Sequence, residues 1–200
     1  MKEKKIIITG GLGFLGSSIF KKLINENYIL VIDNLSSNII EKEFVTNNKN
    51  GTFCEQNITN NSMIEIIEQY NPDIVIHCAA QTNVIESMKN PIKTKKINIE
   101  GTRNILESVK NLSNCYFVFI SSGGAIYGEP KYLPVDENHE KNPISNYGIS
   151  KLKGELLTKN ILSQSKIDYS IIRPSNIYGP GQKTENVIPK FIKLMKMKRE

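Results

Sequence analysis

Tyr147-Gly148-Ile149-Ser150-Lys151 sets a phenol and an ammonium four residues apart, a spacing that puts both on one face of a helix. A free tyrosine titrates near ~10 and is a poor base at neutral pH. A lysine cation beside it stabilises the phenolate and lowers that value, which makes the pair a proton-transfer unit. Upstream, Ser121-Ser122 ends an apolar run, and either hydroxyl can share a hydrogen bond with a reacting hydroxyl. Taken alone, Y-x-x-x-K reads better as an exposed helical pair, a common accident of sequence. Its meaning depends on what lies around it.

A second cluster opens the chain. Gly10, Gly13 and Gly16 form G-x-x-G-x-x-G after the β-branched run Lys4–Ile8 and before a helical apolar stripe over Phe14–Asn25. Gly10 permits a tight turn, Gly13 lets backbone approach a pyrophosphate, and Gly16 lets helix pack on strand. The helix start then offers free N–H groups and a partial positive charge to the anion. A second strand, Tyr28–Ile32, ends at Asp33, where a carboxylate can grip ribose hydroxyls and repel a 2′-phosphate, favouring NAD over NADP. Asp33 can also serve as a helix cap or turn residue. With a nicotinamide cofactor in place, its positive ring adds to the effect of Lys151 on Tyr147, and Lys151 can hold the nicotinamide ribose.

The elements needed to position these groups follow in order. Strands are expected at Gly51–Glu55, Asp73–His77, Cys115–Ile120 and Tyr169–Ile172, and helices at Ile58–Tyr70, Pro91–Lys110, Ser145–Leu162 and Ile188–Lys198. Small residues at Cys78-Ala79-Ala80 let backbone lie against a cofactor, and the Pro-containing stretch Glu129–Asn146 reads as an active-site loop. Alternating strands and helices imply an α/β fold with a doubly wound parallel sheet, the candidate residues falling at the C-terminal ends of its strands. His77 is expected to be a neutral imidazole tying loops together, and His139 to be solvated in a charged loop.

Composition excludes several alternatives. The net charge of +6 is nearly all lysine, because Arg103, Arg173 and Arg199 are the only arginines, and no arginine–aromatic cluster suited to nucleic acid is present. Cys54, Cys78 and Cys115 sit singly in apolar runs, without metal spacing, and read as core residues of a reduced, cytoplasmic protein. No signal peptide or membrane-spanning run is expected. The stripe Ile188, Phe191, Ile192 and Met195, interleaved with lysines, reads as a packed helix rather than a membrane-surface one.

Together these stretches resemble the extended short-chain dehydrogenase/reductase family, in its NAD-dependent nucleotide-sugar epimerase/dehydratase branch, and in particular UDP-glucose 4-epimerase-type enzymes. The matching segments are Thr9–Gly16, Asp33-Asn34, His77–Gln81, Asn98 with Gly101-Thr102, Ser121–Gly128, Tyr147–Lys151 and Arg173–Gly181. The resemblance implies that NAD is bound by Gly10, Gly13, Phe14, Leu15, Gly16, Asp33, Asn34, Asn57, Ile58, Ala79, Ala80, Gln81, Asn98, Tyr147, Lys151 and Pro174. It implies proton transfer by Tyr147, tuned by Lys151, with Ser122 on the reacting oxygen, and sugar-nucleotide phosphates at Asn176. Asn57 stands where an aspartate is usual at the adenine edge. Glycine stands at 123, where many members carry the catalytic Ser/Thr, and no Asp-Glu pair follows, which argues against a 4,6-dehydratase. The resemblance further implies residues 1–175 as the cofactor domain and 176–200 as the start of a substrate lobe continuing beyond the family's matching helix. It also implies a homodimer through Pro91–Lys110 and Ser145–Leu162, and feeble turnover by residues 1–200 alone.

Overall fold

Ile6, Ile7 and Ile8 are all fully buried, which requires cover on both faces of the strand that carries them. The computed structural model, which describes residues 2–184 and 186–197, provides that cover. Six parallel strands, β1 (Lys5–Thr9), β2 (Tyr28–Asp33), β3 (Gly51–Glu55), β4 (Ile74–His77), β5 (Tyr116–Ile120) and β6 (Asp168–Ile172), form one sheet in the order β3-β2-β1-β4-β5-β6. Alternation divides the core between its faces. Ile7, Leu30, Ile32, Val75, Phe117 and Phe119 pack beneath α3 (Met63–Tyr70), α6 (Thr102–Val109) and α8 (Asn146–Leu162). On the other face Ile6, Ile8, Ile29, Val31 and Ile76 meet Phe20 of α1 (Phe14–Leu23) and Val45 of α2 (Lys42–Thr46). The order reverses at β1, between β2 and β4, and the strand ends there open a crevice suited to a ligand.

The expected strands are present, but the helices differ in detail. The helix expected over Pro91–Lys110 is α5 (Pro91–Lys95), a π-helical turn at Lys96–Gly101, and α6. The extra residue in that wide turn faces Asn98 inward, where it is 2% exposed. Three short helices were not expected: α2, α4 (Val84–Lys89) and α7 (Gly123–Ile126). Each is four to six residues long, too short for an apolar period to show. The helix α3 starts at Met63 rather than Ile58, because Asn57 closes a turn on Thr59 first. The last helix, α9, runs Val187–Met197; the end expected at Lys198 lies outside the described residues. Among the described residues no helix is long and apolar enough to cross a membrane.

Candidate active site

The glycine turn is shaped by contact. Gly10 has φ +68°, and a Cβ there would lie 2.8 Å from the Ala79 backbone; one on Gly16 would lie 2.2 Å from the Gly10 carbonyl. Any larger residue would separate β1, β4 and α1. The start of α1 carries no side-chain cap and no acidic residue, so its N–H dipoles face the crevice uncompensated. Asp33, at the end of β2, joins the two sides of the nucleotide end: its carboxylate accepts from Leu12 N–H at 3.1 Å and Leu35 N–H at 3.0 Å. Across the crevice, the Gln81 side-chain oxygen is buried and has no partner among the described residues. A cradle that only glycines fit, an open helix start and a lone buried acceptor suit a dinucleotide.

His77 ties the cradle together from below, as expected. Thr102 Oγ1 donates to Asn98 O at 2.7 Å, so it accepts from His77 Nε2–H at 3.0 Å, and His77 Nδ1 accepts from Thr9 Oγ1–H at 2.7 Å. Thr9 Oγ1 in turn accepts from Ala79 N–H. Burial, helped by the Lys151 cation, lowers the His77 pKa to about 3, which keeps it neutral. Asn98 completes the frame. Its amide brackets Gln81, accepting from its N–H and donating to its carbonyl, and donates to Ser150 Oγ at 2.9 Å. All its polar atoms are thereby engaged within the chain, so it shapes the cofactor wall rather than reaching out of it.

The proton-transfer groups converge at the ends of β5 and β6. Ser145 caps α8 by accepting from Gly148 N–H, and Ser87 of α4 accepts from Tyr147 N–H at 3.1 Å. The two candidate serines separate here. Ser121 donates its hydroxyl to Glu155 at 2.6 Å, whereas the Ser122 hydroxyl faces the Tyr147 phenol and acts to lower its pKa. Asn176 faces the same wall, its side-chain oxygen 3.7 Å from a Cβ placed on Gly124. Lys151 is buried, donates to Ile120 O at 2.7 Å and lies 5.1 Å above the Phe119 ring. Burial brings its pKa down to about 8.

Some expectations need correction. Tyr147 was expected to be lowered by Lys151, but burial dominates and raises its pKa; the Ser122 hydroxyl acts against that rise. The Lys151 ammonium is turned to the Ile120 carbonyl, so the further lowering has to come from a cofactor's charge. His139 is not solvated: it is 2% exposed, packed on Tyr127 and Tyr132, accepting from Lys131 N–H and facing the Glu140 carbonyl at 2.8 Å. Outside these corrections, the Asn57 oxygen accepts from Thr59 N–H and hydroxyl and the Ile58 side chain is buried in the core, while the Asn57 amide nitrogen and the Ile58 N–H stay as the groups proposed to meet the adenine edge. Glu155, Ser150, Thr102 and Ser87 carry the frame; sequence reasoning gave Thr102 and Ser150 no role inside their motifs and passed over Glu155 and Ser87. Only Glu155 left a signal, eight residues after Tyr147 and four after Lys151 on the same helix face.

Residues 6–200 match the model of the NAD-dependent epimerase/dehydratase family. The chain belongs to that family. Its relatives include a putative UDP-glucose 4-epimerase of Methanocaldococcus jannaschii, 45% identical over 88% of this chain and 57% of that protein. A dTDP-D-glucose 4,6-dehydratase of Dictyostelium discoideum is 36% identical over 96% of this chain and 48% of that protein. Among solved structures, the UDP-N-acetylglucosamine 4-epimerase of Methanobrevibacter ruminantium superposes with TM-score 0.91 at 33% identity, over 99% of this chain and 64% of that one. The chain therefore spans about half to three fifths of the length of these relatives.

Proposed function

We propose that this chain is the NAD-binding and proton-transferring part of a nucleotide-sugar 4-epimerase acting on a substrate like UDP-glucose or UDP-galactose. Residues 1–175 hold the cofactor and the acid–base pair, and residues 176–200 begin the part that grips the sugar. The observation carrying this reading is the glycine-only cradle at Gly10 and Gly16 beside the buried Lys151 ammonium, one helical turn from a Tyr147 that Ser122 faces from the end of β5. The short helix α7 just beyond Ser122, Gly123–Ile126, bears no carboxylate, which favours epimerase over dehydratase.

NAD, when bound, supplies an acceptor for the hydride of sugar carbon 4 and a donor that returns it to the other face of the 4-keto sugar. Gly10, Gly13, Phe14, Leu15 and Gly16 would hold its phosphates, Asp33 and Asn34 its adenosine ribose, and Ala79, Ala80, Gln81 and Pro174 would wall its site. Tyr147 removes the 4-hydroxyl proton and later restores it. Ser122 bonds the reacting oxygen and keeps it within reach of the phenol, and Lys151, held on the Ile120 carbonyl, faces the nicotinamide ribose. Asn176 reaches the sugar-nucleotide phosphates. Burial keeps the thiols of Cys54, Cys78 and Cys115 protonated, the latter two with pKa values of about 12, in keeping with core residues of a reducing compartment.

Catalysis also needs the sugar held over the site, since misplacement by ~1 Å can cost about a hundredfold. In the relatives, further chain lies beyond the length matched here. The test joins this chain to the corresponding C-terminal portion of the Methanocaldococcus relative. Isothermal calorimetry should show NAD binding with and without that portion. Proton NMR should show brisk interconversion of UDP-glucose and UDP-galactose only with it, and none after Tyr147→Phe. NAD binding without any turnover in the joined protein would leave a silent cofactor-binding module as the better reading.

A further inference from the structure

The ends of β5 and β6 run side by side around Ser122. Ser121 N–H donates to Ile172 O at 2.8 Å and Gly123 N–H to Pro174 O at 2.8 Å, which leaves Ser122 opposite Arg173. A Cβ on Gly123 would come within 2.9 Å of the Arg173 carbonyl, so the two backbones touch. Side chains from both segments then converge on one carboxylate. Ser121 Oγ donates to Glu155 Oε1 at 2.6 Å, Arg173 Nε to the same oxygen at 2.8 Å, and Arg173 Nη2 to Oε2 at 2.7 Å. The remaining Arg173 nitrogen, Nη1, donates to Tyr127 Oη at 3.0 Å and Glu137 O at 3.1 Å.

Glu155 is 1% exposed and follows Tyr147 by eight residues on α8, about 12 Å along the helix axis. A planar, two-bonded fork fixes both the height and the rotation of a helix against its neighbours, which a single contact does not. Burial alone would raise the Glu155 carboxyl; Arg173 and Ser121 outweigh it and keep the group ionised. An ion pair this deep is a poor source of stability compared with apolar packing, and conformational definition is what it supplies best. Neither Glu155 nor Arg173 has another task in the site described above.

We propose that Glu155 and Arg173 are positioning residues: their bidentate pair, acting through Ser121, sets the Ser122 hydroxyl against the Tyr147 phenol. The inference rests on the reading of Tyr147 and Ser122 as the acid–base pair. Its test needs no turnover. The chain is labelled with 13Cζ-tyrosine, the Tyr147 signal is assigned by its loss in Tyr147→Phe, and its titration is followed with NAD present. Ser122→Ala removes the hydroxyl that favours the phenolate and is expected to raise the Tyr147 titration by about half a pH unit to one unit. Arg173→Lys keeps the charge but loses the fork, and Ser121→Ala keeps the ion pair but cuts its link to β5. Both are expected to reproduce most of that upward shift. The double variant Ser122→Ala/Arg173→Lys should titrate like Ser122→Ala alone, because both changes remove one contact.

Unchanged NAD binding by calorimetry shows that each variant is folded, and Ser121→Ala carries the test if Arg173→Lys does not fold. Should only Ser122→Ala move Tyr147, or should the shifts add, the positioning role is overturned while the function stands. Should Ser122→Ala itself leave Tyr147 unmoved, the acid–base pair falls and takes the proposed function with it.

Discussion

Asp33 shows how one side chain serves both fold and chemistry. Its oxygens already accept from Leu12 N–H and Leu35 N–H, which fixes the carboxylate at the strand end where the proposed reading brings the ribose hydroxyls. A 2′-phosphate would meet that charge at close range. Asp33→Ala should therefore weaken NAD and narrow its advantage over NADP, read by calorimetry with both cofactors; equal or tighter NADP binding by the unaltered chain would contradict the assignment. Asp33 was legible because its place at the end of the second strand is fixed by the glycine turn before it. Glu155 was not, since a glutamate on a helix ordinarily faces water, and only the arrival of Arg173 from a strand end 18 residues later makes its burial possible. Ser122 was preferred to Ser121 by resemblance alone; the pleat supplies the physical reason, sending the Ser121 hydroxyl to Glu155 and turning that of Ser122 toward Tyr147.

Among elements, strands were read nearly as they stand because apolar runs buried on both faces announce themselves. The π-helical turn at Lys96–Gly101 gave no such signal, although it is what carries Asn98 inward to hold Gln81 and Ser150 together. Its position is locked by Thr102 and His77, and that lock has a pH dependence. The folded pKa of His77, about 3, lies below its ordinary 6.5. Between those values the unfolded chain binds a proton that the folded chain does not, so stability is lost as pH falls through that window. Between pH ~6.5 and ~5 the loss should be about 2 kcal/mol. Urea unfolding at stepped pH measures it, and His77→Gln should flatten that limb of the curve. A wild-type curve already flat there would show that His77 is not held neutral.

On the scale of the whole molecule, the packing of α4, α5 and α6 on α8 leaves an apolar surface. Ile92 is 83% exposed and Ile85 68%, with Met88 and Leu156 also open to solvent. We propose that a second copy of the chain covers this surface as a homodimer. Light scattering at micromolar concentration should give twice the chain mass, and Ile92→Glu should return it to one; a monomer before any substitution would contradict the proposal. The central claim concerns the reaction, and a label follows it most directly. In the chain joined to its relative's C-terminal portion, UDP-galactose carrying deuterium at carbon 4 should yield UDP-glucose with deuterium still at carbon 4, now on the opposite face. A product that has lost the label to solvent, or a keto sugar carrying it elsewhere, would contradict a hydride that leaves and returns to the same carbon beside Tyr147.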